Sequence, residues 1–423
     1  MSIHGRRNKV SGFPFRHKSC CSKKGSKMDA RENEMLTKVG PGTPAGETLR
    51  RYWLPVGFSH ETKSDTPRLV RWLGEDLVLF RDEFGRVGLI EPNCAHRGTS
   101  LEYGWIEGGG VRCCYHGWVY DVNGRCIEQP AEPEGSTFKD KIRLKAYPVR
   151  EVGGLIWAYM GSREPPEFPG YDFLVREDGE RAYSGYHREC NYLQQLENAL
   201  DHGHGTVLHG REVHGGRQIP MRKDLPELEV VANESMASCI ARRPGPTPDT
   251  EWLYEAMYVP PIMVVHDGGS LPSDPEPAIA DVAWRMPIDD HNTYSFIVKF
   301  APFKDGRPLP KREGLRGPKV PPLMRGTRKQ FDMATINGQD SAAQVGQGSI
   351  ADRTREHLGY SDRGVIQVRK LWRSVIEAVM RGEDPPGIVR DPEKNVMIHF
   401  DDRGSREKVI KKGERHIPEI VRM

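Results

Sequence analysis

Hydrophobic and polar residues alternate over many short segments of the chain, a pattern typical of strands that bury one face of a sheet. In the first part of the chain, strands are predicted at 69–73, 77–81, 87–91, 146–149 and 155–160. In the second part, they are predicted at 181–188, 227–242, 253–266, 280–286 and 293–300. The alternation therefore predicts two regions rich in antiparallel strands.

Helical periodicity is confined to a few segments. The clearest lies at 365–380, where apolar residues recur every three or four positions and Gly382 follows as a stop signal. Another apolar stripe, within 191–209, is formed by Leu193, Leu196, Ala199 and Leu200. Two short helices separated by a Gly/Pro turn are predicted after Ala30. Together these patterns indicate an α+β protein, with an all-β N-terminal domain and a C-terminal antiparallel sheet surrounded by helices.

Length and proline positions divide the chain into segments. Its 423 residues are enough for two domains, each expected to bury its own core. Pro165 and Pro166 interrupt the strand pattern, so the boundary is placed near residue 165. The predicted segments are a basic disordered tail at 1–27, a first domain at 28–165, a second domain at 166–390 and a polar tail at 391–423 that clasps a neighbouring subunit. Within the second domain, 303–328 is predicted to be a mobile surface loop, because it is rich in Pro, Gly, Lys and Arg.

Charge and hydropathy narrow the class of protein. No run of eighteen apolar residues occurs, so neither a transmembrane helix nor a membrane partner is expected. The formal net charge is +3, but residues 1–27 carry eight Lys or Arg and no acid, which leaves the remainder at −5. Nucleic-acid binding by the body of the protein is therefore not expected. The basic segment is interpreted either as a disordered tail or as the product of a start codon upstream of a true start at Met28.

The eight cysteines do not show the spacing of a secreted disulfide framework. Two of them belong to mixed motifs, Cys94-x-His96 and, after sixteen intervening residues, Cys113-x-x-His116. A [2Fe–2S] cluster of mixed ligation takes two thiolates on one iron and two imidazoles on the other. Neighbouring loops would therefore place the two cysteines on one iron and the two histidines on the other. Such thiolates must stay reduced, which predicts a cytoplasmic setting.

Alternatives remain for this stretch. Two Cys and two His would also suit a structural zinc site, although zinc modules usually pair like ligands, as Cys-x2-Cys followed by His-x3-His. Cys114 also stands in a Cys-x-His arrangement, but only Cys113 gives the two-residue gap, so Cys114 is interpreted as a buried neighbour. Gly98, Gly104 and Gly117 are expected where the loops turn tightly around the cluster.

The stretch from Cys94 to Pro130 resembles the Rieske domain of the ring-hydroxylating oxygenases. The resemblance lies in C-A-H-R-G-T-S-L, C-C-Y-H-G-W-V-Y-D and G-R-C-I-E-Q-P, which begin at residues 94, 113 and 124. The segment after Ala30 is similar to the opening of the phthalate dioxygenase group within that family. Small Rieske ferredoxins and respiratory-chain Rieske proteins carry similar loops, so the rest of the chain must distinguish an oxygenase from an electron carrier.

The segment 191–209 contains a second candidate metal site. Asp201 and His204 are three residues apart and would share one face of a helix. His209 lies five residues beyond His204, so its imidazole would point away on an unbroken helix. A common metal therefore requires that the helix be interrupted.

Gly203 and Gly205 favour a break or a local widening of the helix at this place. From the residues alone, a histidine-rich helix end that faces solvent is the alternative, and His202 is a further candidate. The spacing Asp-x2-His-x4-His is similar to that of the Rieske oxygenase catalytic domain. This resemblance implies that His204 and His209 bind a mononuclear Fe(II).

A ferrous centre of this kind needs one carboxylate besides two imidazoles and keeps open positions for O2. Asp340 is the candidate, because the text I-N-G-Q-D-S-A-A-Q-V-G around it resembles the third-ligand region of the phthalate dioxygenase group. The residues alone do not rank it above the nearby carboxylates, which are Asp332, Asp352, Glu356 and Asp362.

The family resemblance also implies an assembly and an electron donor. Head-to-tail trimers would bring the cluster of one subunit beside the iron of the next, so a homotrimer or a dimer of trimers is expected. Asp201 matches the catalytic carboxylate that bridges the two sites, and it should accept hydrogen bonds from His116 of one subunit and His204 of the next. Asn198, one turn earlier, is a candidate pocket residue. No G-x-G-x-x-G fingerprint follows a strand, so a separate NAD(P)H-dependent reductase is expected to supply electrons.

The expected reaction is hydroxylation of an aromatic, carboxylated small molecule, with O2 as co-substrate. Arg242 and Arg243 end a predicted strand and are candidates for a clamp on the carboxylate; a charged strand end in solvent is the alternative. The alternatives for the whole chain are a Rieske monooxygenase or demethylase acting on another substrate, a Rieske electron-transfer protein without oxygenase activity, and a zinc-stapled binding protein.

Overall fold

The computed structural model describes residues 28–63, 65–209, 226–266, 281–302, 331–333, 335–399 and 408–414. The predicted basic tail at 1–27 and the predicted mobile loop at 303–328 lie outside these residues, as do parts of the predicted polar tail. Across the described ranges, no helix is both long enough and apolar enough to cross a lipid bilayer.

Two short helices open the described chain, as the sequence predicts. They are α1 Ala30–Thr37 and α2 Pro44–Leu49. The Asp29 carboxylate caps α1 by accepting from a first-turn backbone N–H at 2.8 Å, and the Thr43 hydroxyl caps α2 in the same way at 3.2 Å. Pro44 occupies the first position of α2, where a missing N–H removes no helical hydrogen bond.

Short antiparallel strands make up the rest of the first predicted domain. They are β1 Trp53–Phe58, β2 Arg68–Trp72, β3 Glu75–Arg81, β4 Val87–Ile90, β5 Trp105–Glu107, β6 Gly110–Arg112, β7 Val119–Tyr120, β8 Cys126–Glu128, β9 Val149–Val152 and β10 Leu155–Tyr159. Among the described residues they form sheets of order β1-β10-β9, β2-β3-β4 and β5-β6-β7-β8. The loop after β4 contains Cys94 and His96, and the loop after β6 contains Cys113 and His116.

The second part of the chain is built on one large sheet. Its elements are α3 Asp172–Val175, β11 Gly179–Arg188, α4 Tyr192–Ala199, α5 His202–Val207, β12 Glu227–Ala232, β13 Ala237–Pro244, β14 Thr250–Val259, β15 Met263–His266, β16 Asp281–Pro287, β17 Thr293–Pro302, α6 Ile336–Val345, α7 Arg363–Met380 and β18 Lys408–Lys411. The strand order is β11-β17-β16-β15-β14-β13-β12, with β18 beside β14. All of these pairings are antiparallel, so the predicted α+β class is confirmed.

The two faces of the large sheet have different partners. On one face Phe296 packs against Phe58 of β1, with ring centroids 5.1 Å apart. Its neighbour Ser295 points to the other face, where its hydroxyl donates to Gln195 of α4 at 2.9 Å. Residues of both predicted domains belong to one continuous hydrophobic core. The first predicted domain therefore shares this core with the second, because β1 and β10 bury side chains against the large sheet.

The loop with Cys94 and His96 is the first cluster loop, and the loop with Cys113 and His116 is the second. A smaller group of buried hydrophobic residues lies beneath these two loops. It contains Cys94 and Cys113 together with Val111, Trp118 and Tyr120. The loops thus rest on a core of their own, separate from the large one that supports the second candidate site.

Two long predicted strands are interrupted. The segment 227–242 forms β12 and part of β13, and the Asn233 side chain accepts from two backbone N–H groups of the turn between them, at 2.8 and 2.9 Å. The segment 253–266 forms part of β14 and β15, which are separated by Pro260 and Pro261. Prolines lack the N–H that a strand ladder needs, so the pairing stops there.

The predicted polar tail contains a strand. β15 pairs with Ala256–Val259 of β14 and leaves the beginning of β14 without a partner on that side. β18 fills this edge by pairing with Thr250–Leu253 of the same chain. The sequence prediction missed this strand, because only the free edge of β14 favours pairing by so short a segment.

Candidate metal centres

The first cluster loop is closed by its own backbone. The Cys94 N–H donates to the Thr99 carbonyl at 2.9 Å, and the Gly98 N–H donates to the Cys94 carbonyl at 2.8 Å. Gly98 has a φ of +78°, a conformation that a side chain disfavours. His96 lies inside this closed turn and is exposed.

The second cluster loop repeats the same construction. The Cys113 N–H donates to the Trp118 carbonyl at 2.8 Å, and the Gly117 N–H donates to the Cys113 carbonyl at 3.0 Å. Gly117 has a φ of +75° and, like Gly98, stands four residues after its cysteine. Both loops therefore hold a cysteine at a fixed backbone position.

Two other residues of this stretch differ from expectation. Cys114 is partly exposed and not buried. Gly104 does not need a positive φ; a Cβ there would come within 2.4 Å of the Arg112 carbonyl oxygen. Its smallness permits a close backbone approach.

The four predicted cluster ligands separate into an inner and an outer pair. Cys94 and Cys113 are 3% and 1% exposed. The rings of His96 and His116 lie nearer the surface, with centroids 4.4 Å apart. Two buried thiols beneath two adjacent imidazoles fit a cluster with thiolates on one iron and imidazoles on the other.

Tyr120 of β7 is a neighbour of the cluster ligands that the sequence prediction missed. Its hydroxyl lies 3.3 Å from Sγ of Cys94 and accepts from the Ala95 N–H at 3.1 Å. With its oxygen already accepting, the phenol can donate its proton to the sulfur. Burial raises the pKa of the Cys94 thiol, and hydrogen bonding by Tyr120 opposes that effect.

The helix predicted over 191–209 is broken, but not at the glycines. α4 ends at Ala199, and α5 begins at His202, with Asp201 as its N-cap accepting from the Gly203 N–H at 3.0 Å. The break precedes Gly203 because an Asp favours the non-helical cap conformation. His209 lies just beyond the end of α5, so the five-residue spacing does not run along a continuous helix.

The structure brings His204, His209 and Asp340 together. Nε2 of His204 lies 3.5 Å from Oδ1 of Asp340, and Nε2 of His209 lies 3.3 Å from the same oxygen. The three ligand atoms all lie within 4.8 Å of one another, and no other His, Cys, Asp or Glu trio in the described part of the chain is this compact. Oδ1 of Asp340 is buried without a hydrogen-bond partner among these residues. A divalent cation would satisfy this oxygen and both nitrogens, so the donor set fits iron.

Gln339, which the sequence prediction also missed, orients His209. Its amide nitrogen donates to the Met333 carbonyl at 2.8 Å, which turns its Oε1 toward Nδ1 of His209 at 2.7 Å. Nδ1 therefore carries the proton and donates it to this oxygen. The lone pair of Nε2 is left for a metal.

His204 is oriented by residues of its own segment. Oδ2 of Asp201 lies 3.7 Å from Nδ1 of His204, and Nδ2 of Asn198 lies 3.4 Å from Nε2. Burial lowers the pKa of His204, but the carboxylates of Asp201 and Asp340 raise it above its ordinary value. Both candidate imidazoles thus present Nε2 to Asp340 and Nδ1 to a hydrogen-bond acceptor or a carboxylate.

Asp340 is held in place by a buried arginine. Arg188 of β11 is 3% exposed, and its guanidinium donates to Asn337, Ser341 and Gln344 of α6 at 2.5, 2.9 and 2.7 Å. Burial opposes ionisation of Asp340, but His209, His204 and Arg188 together lower its carboxyl pKa. An ionised carboxylate is the form that binds a metal.

His202 is excluded as a ligand by its own hydrogen bond. Nε2 of His202 lies 2.8 Å from the Cys239 carbonyl, and burial lowers the pKa of this imidazole to about 4. Three of the alternative carboxylates are also engaged: Asp352 bonds Thr354, Glu356 pairs with Arg369, and Asp362 accepts from the Gly359 N–H.

The predicted clamp of Arg242 and Arg243 is wrong. Arg242 is paired with Glu229 at 2.9 Å and Glu251 at 3.3 Å. Arg243 is its neighbour on the same strand and donates to Thr206 of α5 at 2.9 Å. Consecutive strand residues point to opposite faces of a sheet, so the two guanidinium groups cannot bind one carboxylate.

Two loops that each present a cysteine and a histidine, together with a separate two-histidine, one-carboxylate group on a helix-covered sheet, define an oxygenase of the Rieske type. The model of the Rieske [2Fe-2S] domain matches residues 52–148. The 5,5'-dehydrodivanillate O-demethylase oxygenase subunit of Sphingobium sp. strain SYK-6 is 36% identical over 385 residues, covering 88% of this chain and 86% of the relative. The oxygenase subunit of tert-butanol monooxygenase / tert-amyl alcohol desaturase from Aquincola tertiaricarbonis is 35% identical over 390 residues, covering 85% and 79%.

A solved structure shares the fold. The crystal structure of dicamba monooxygenase bound to dicamba aligns with a TM-score of 0.57 at 20% identity, covering 79% of this chain and 99% of that one. The chain belongs to the oxygenase subunits of the Rieske non-heme iron oxygenase family. Its cofactors are accordingly a [2Fe–2S] cluster and a mononuclear iron, for which the residues described above provide fitting donors.

Proposed function

We propose that this oxygenase subunit hydroxylates an aromatic carboxylate with O2, using electrons from a separate NAD(P)H-dependent reductase. Cys94, His96, Cys113 and His116 would hold the cluster, and His204, His209 and Asp340 the iron. When bound, the cluster carries single electrons and the ferrous ion activates O2. The observation that carries the proposal is the buried Asp340 oxygen, which has two imidazole nitrogens within 3.5 Å and no hydrogen-bond partner among the described residues.

The residues around the iron site have separate tasks in this proposal. Gln339 fixes the proton of His209 on Nδ1, and Arg188 fixes the helix that carries Asp340. Asn198 of α4 lies beside His204, with its Nδ2 3.4 Å from Nε2 of the imidazole, and would contact the substrate or its oxygen.

We also propose that the protein assembles as a homotrimer in which Asp201 links the two metal sites. The Asp201 side chain is 30% exposed while one oxygen is directed at His204, so the carboxylate can accept from a second imidazole. The exposed His96 and the partly buried His116 would face this acid from the neighbouring subunit. We place the protein in the cytoplasm, because its cluster thiolates must stay reduced.

Aerobic turnover tests the proposed function directly. The reconstituted protein, a surrogate reductase and NADH are incubated with aromatic acids and their methyl ethers, and products are measured by mass spectrometry. Addition of one oxygen or of two hydroxyl groups is the expected result. Product formation that is unchanged when His204 and His209 are both replaced by alanine would contradict the assignment.

O-demethylation is a second candidate, favoured by the 36% identical relative that is named for this activity. It would oxidise a methoxy carbon and release formaldehyde. Measuring formaldehyde in the same reactions separates the two candidates.

A further inference from the structure

Arg285 of β16 is a buried cation on the large sheet. The residue is 7% exposed, and its Nη1 donates to Ser295 Oγ at 2.9 Å and to the Tyr186 hydroxyl. Its Nε is buried and has no hydrogen-bond partner among the described residues. No carboxylate within these residues lies within ion-pair distance of its guanidinium.

Other buried arginines of the described chain have their hydrogen bonds completed. Arg353 is paired with Glu197 at 2.8 Å, and Arg369 with Glu197 and Glu356 at 2.6 Å. Arg188 has no acid within ion-pair distance in this part of the chain, but all three of its nitrogens donate to α6. A buried cation with an unused donor loses hydration without a compensating charge, which costs several kcal/mol. Arg285 is therefore the buried arginine that would gain most from an external anion.

Strand register places Arg285 on the face of the large sheet that α4 covers. Arg285 lies opposite Ser295 on β17, and Ser295 lies opposite Tyr186 on β11, so the three side chains form one row. The Ser295 hydroxyl donates to Gln195 of α4 at 2.9 Å. Since α4 also carries Asn198 beside His204, the row and the candidate iron ligands share this side of the sheet.

The pKa shifts of neighbouring groups agree with the position of the row formed by Arg285, Ser295 and Tyr186. His266 of β15 has its pKa lowered to about 3 by burial and then by Arg285 and other cationic groups, while Asp340 acts in the opposite direction. His266 thus lies within electrostatic reach of both Arg285 and the iron-site carboxylate. Burial raises the pKa of Tyr186, but Arg188 and Arg285 reverse this and leave it below its ordinary value. The positive potential on this face favours an anionic ligand.

We propose that Arg285, with the Tyr186 hydroxyl beside it, binds the carboxylate of the aromatic substrate. This inference rests on the proposed function and adds the group that recognises the substrate. A guanidinium donates to a carboxylate through paired N–H groups, which a neutral amide cannot match in charge. The pocket would orient an aromatic acid by its charged end and direct the ring toward His204 and Asp340.

Binding of a matched pair of ligands tests the site without turnover. Isothermal titration calorimetry measures 4-methoxybenzoate and 4-methoxybenzamide on the iron-loaded wild type, on Arg285→Gln and on Arg285→Lys. We expect the wild type to prefer the acid by about 10- to 100-fold, from the value of a charge-assisted hydrogen bond. Arg285→Gln should abolish that preference and leave the amide within about twofold, while Arg285→Lys should retain part of it because the charge remains.

Arg242→Gln is the matched control, since Arg242 is already paired with Glu229 and Glu251. It should leave both affinities unchanged. Thermal unfolding separates a structural role of Arg285: removal of a buried charge without a counterion should not lower Tm, whereas equal loss of both ligands with a lower Tm overturns the proposal. Failure of the wild type to prefer the acid, or to bind either ligand, also overturns it.

The turnover assay keeps the two proposals distinguishable. If the acid binds through Arg285 but no aromatic compound is oxidised, the anion site stands and the proposed function is wrong. If Arg285→Gln oxidises aromatic acids with an unchanged KM, the proposed function stands and the anion site is refuted.

Discussion

Replacement of Gln339 by leucine is expected to weaken the mononuclear iron site without affecting the cluster. The residue is 2% exposed, and its amide oxygen accepts from Nδ1 of His209 at 2.7 Å. Leucine preserves most of the volume but removes the acceptor that fixes the tautomer and the ring orientation. His209 can then rotate, or carry its proton on Nε2. Either change removes the Nε2 lone pair from the metal position beside Oδ1 of Asp340.

The size of the effect follows from the role of the hydrogen bond. Loss of a partner that orients a ligating histidine typically costs about 10- to 100-fold in metal affinity, or about 1.4 to 2.7 kcal/mol. We therefore expect the Fe(II) dissociation constant of the mononuclear site to rise by about this factor, with a matching loss of turnover at limiting iron.

The assay is competition for Fe(II) against a chromogenic chelator, with visible absorption of the cluster as an internal reference. Gln347→Leu is the control, because Gln347 is exposed shortly after the end of the same helix. An affinity of Gln339→Leu within about twofold of the control would refute the reasoning, since the hydrogen bond would then contribute no more than about 0.4 kcal/mol.

Three further outcomes are expected. Asp201→Asn should retain both metals but lose nearly all turnover, because the bridging acceptor loses its charge; unimpaired electron transfer from cluster to iron in a single-turnover experiment would refute the bridge. Tyr120→Phe should lower the reduction potential of the cluster by on the order of 50 mV, measured by EPR-monitored titration, because a hydrogen bond of about 1 kcal/mol to Cys94 sulfur is lost; an unchanged potential would contradict this role. Glu197→Gln should destabilise the fold by about 3 to 5 kcal/mol in urea, because it leaves buried Arg353 without its full ionic partner; a loss below about 1 kcal/mol would contradict that account. Burial raises the pKa of Glu197, but its two arginines hold it below the ordinary value of 4.5, so the stability it contributes is complete above about pH 4.5 and is lost as pH falls through the lower folded-state pKa. The variant should accordingly show a weaker loss of stability in acid than the wild type.

The sequence predicted those parts of the fold that depend on local pattern. The helix at 363–380 and the β-rich first domain follow from side-chain periodicity and from turn residues. β18 could not be predicted in this way, because its strand conformation depends on the free edge of β14, which is distant in sequence. The core shared by the two domains could not be predicted for the same reason, because strand patterns do not reveal which sheets pack against each other.

The candidate ligands were accessible because their residue types and spacings are themselves chemical constraints. Two cysteines and two histidines in mixed pairs, and Asp-x2-His-x4-His, limit the metals that can bind. The residues that orient those ligands carry no such constraint: Gln339 and Tyr120 are recognised only when the fold places them at 2.7 and 3.3 Å from His209 and Cys94. The sequence predicts a break in this helix but places it at Gly203 and Gly205, because glycine lowers helix propensity, whereas the structure places it at the capping Asp201.

Arg242 and Arg285 differ in what the sequence reveals about them. The sequence predicts a carboxylate-binding arginine at a charged strand end, where Arg242 is in fact neutralised by Glu229 and Glu251. Arg285 lies inside a strand of ordinary alternation, A-W-R-M, and nothing in that text marks it as an arginine without a counterion. Its lack of an acidic partner among the described residues became apparent only from three-dimensional contacts.

The account depends on a cluster and a separate iron in one chain, and iron analysis combined with EPR tests this most directly. The reconstituted wild type should contain three irons and two sulfides per chain and give a rhombic signal on reduction. Replacing His204 and His209 by alanine should reduce the content to two irons, leave the rhombic signal intact and abolish O2-dependent product formation. A colourless protein without that signal, or an alanine variant that retains three irons and full product formation, would contradict the account.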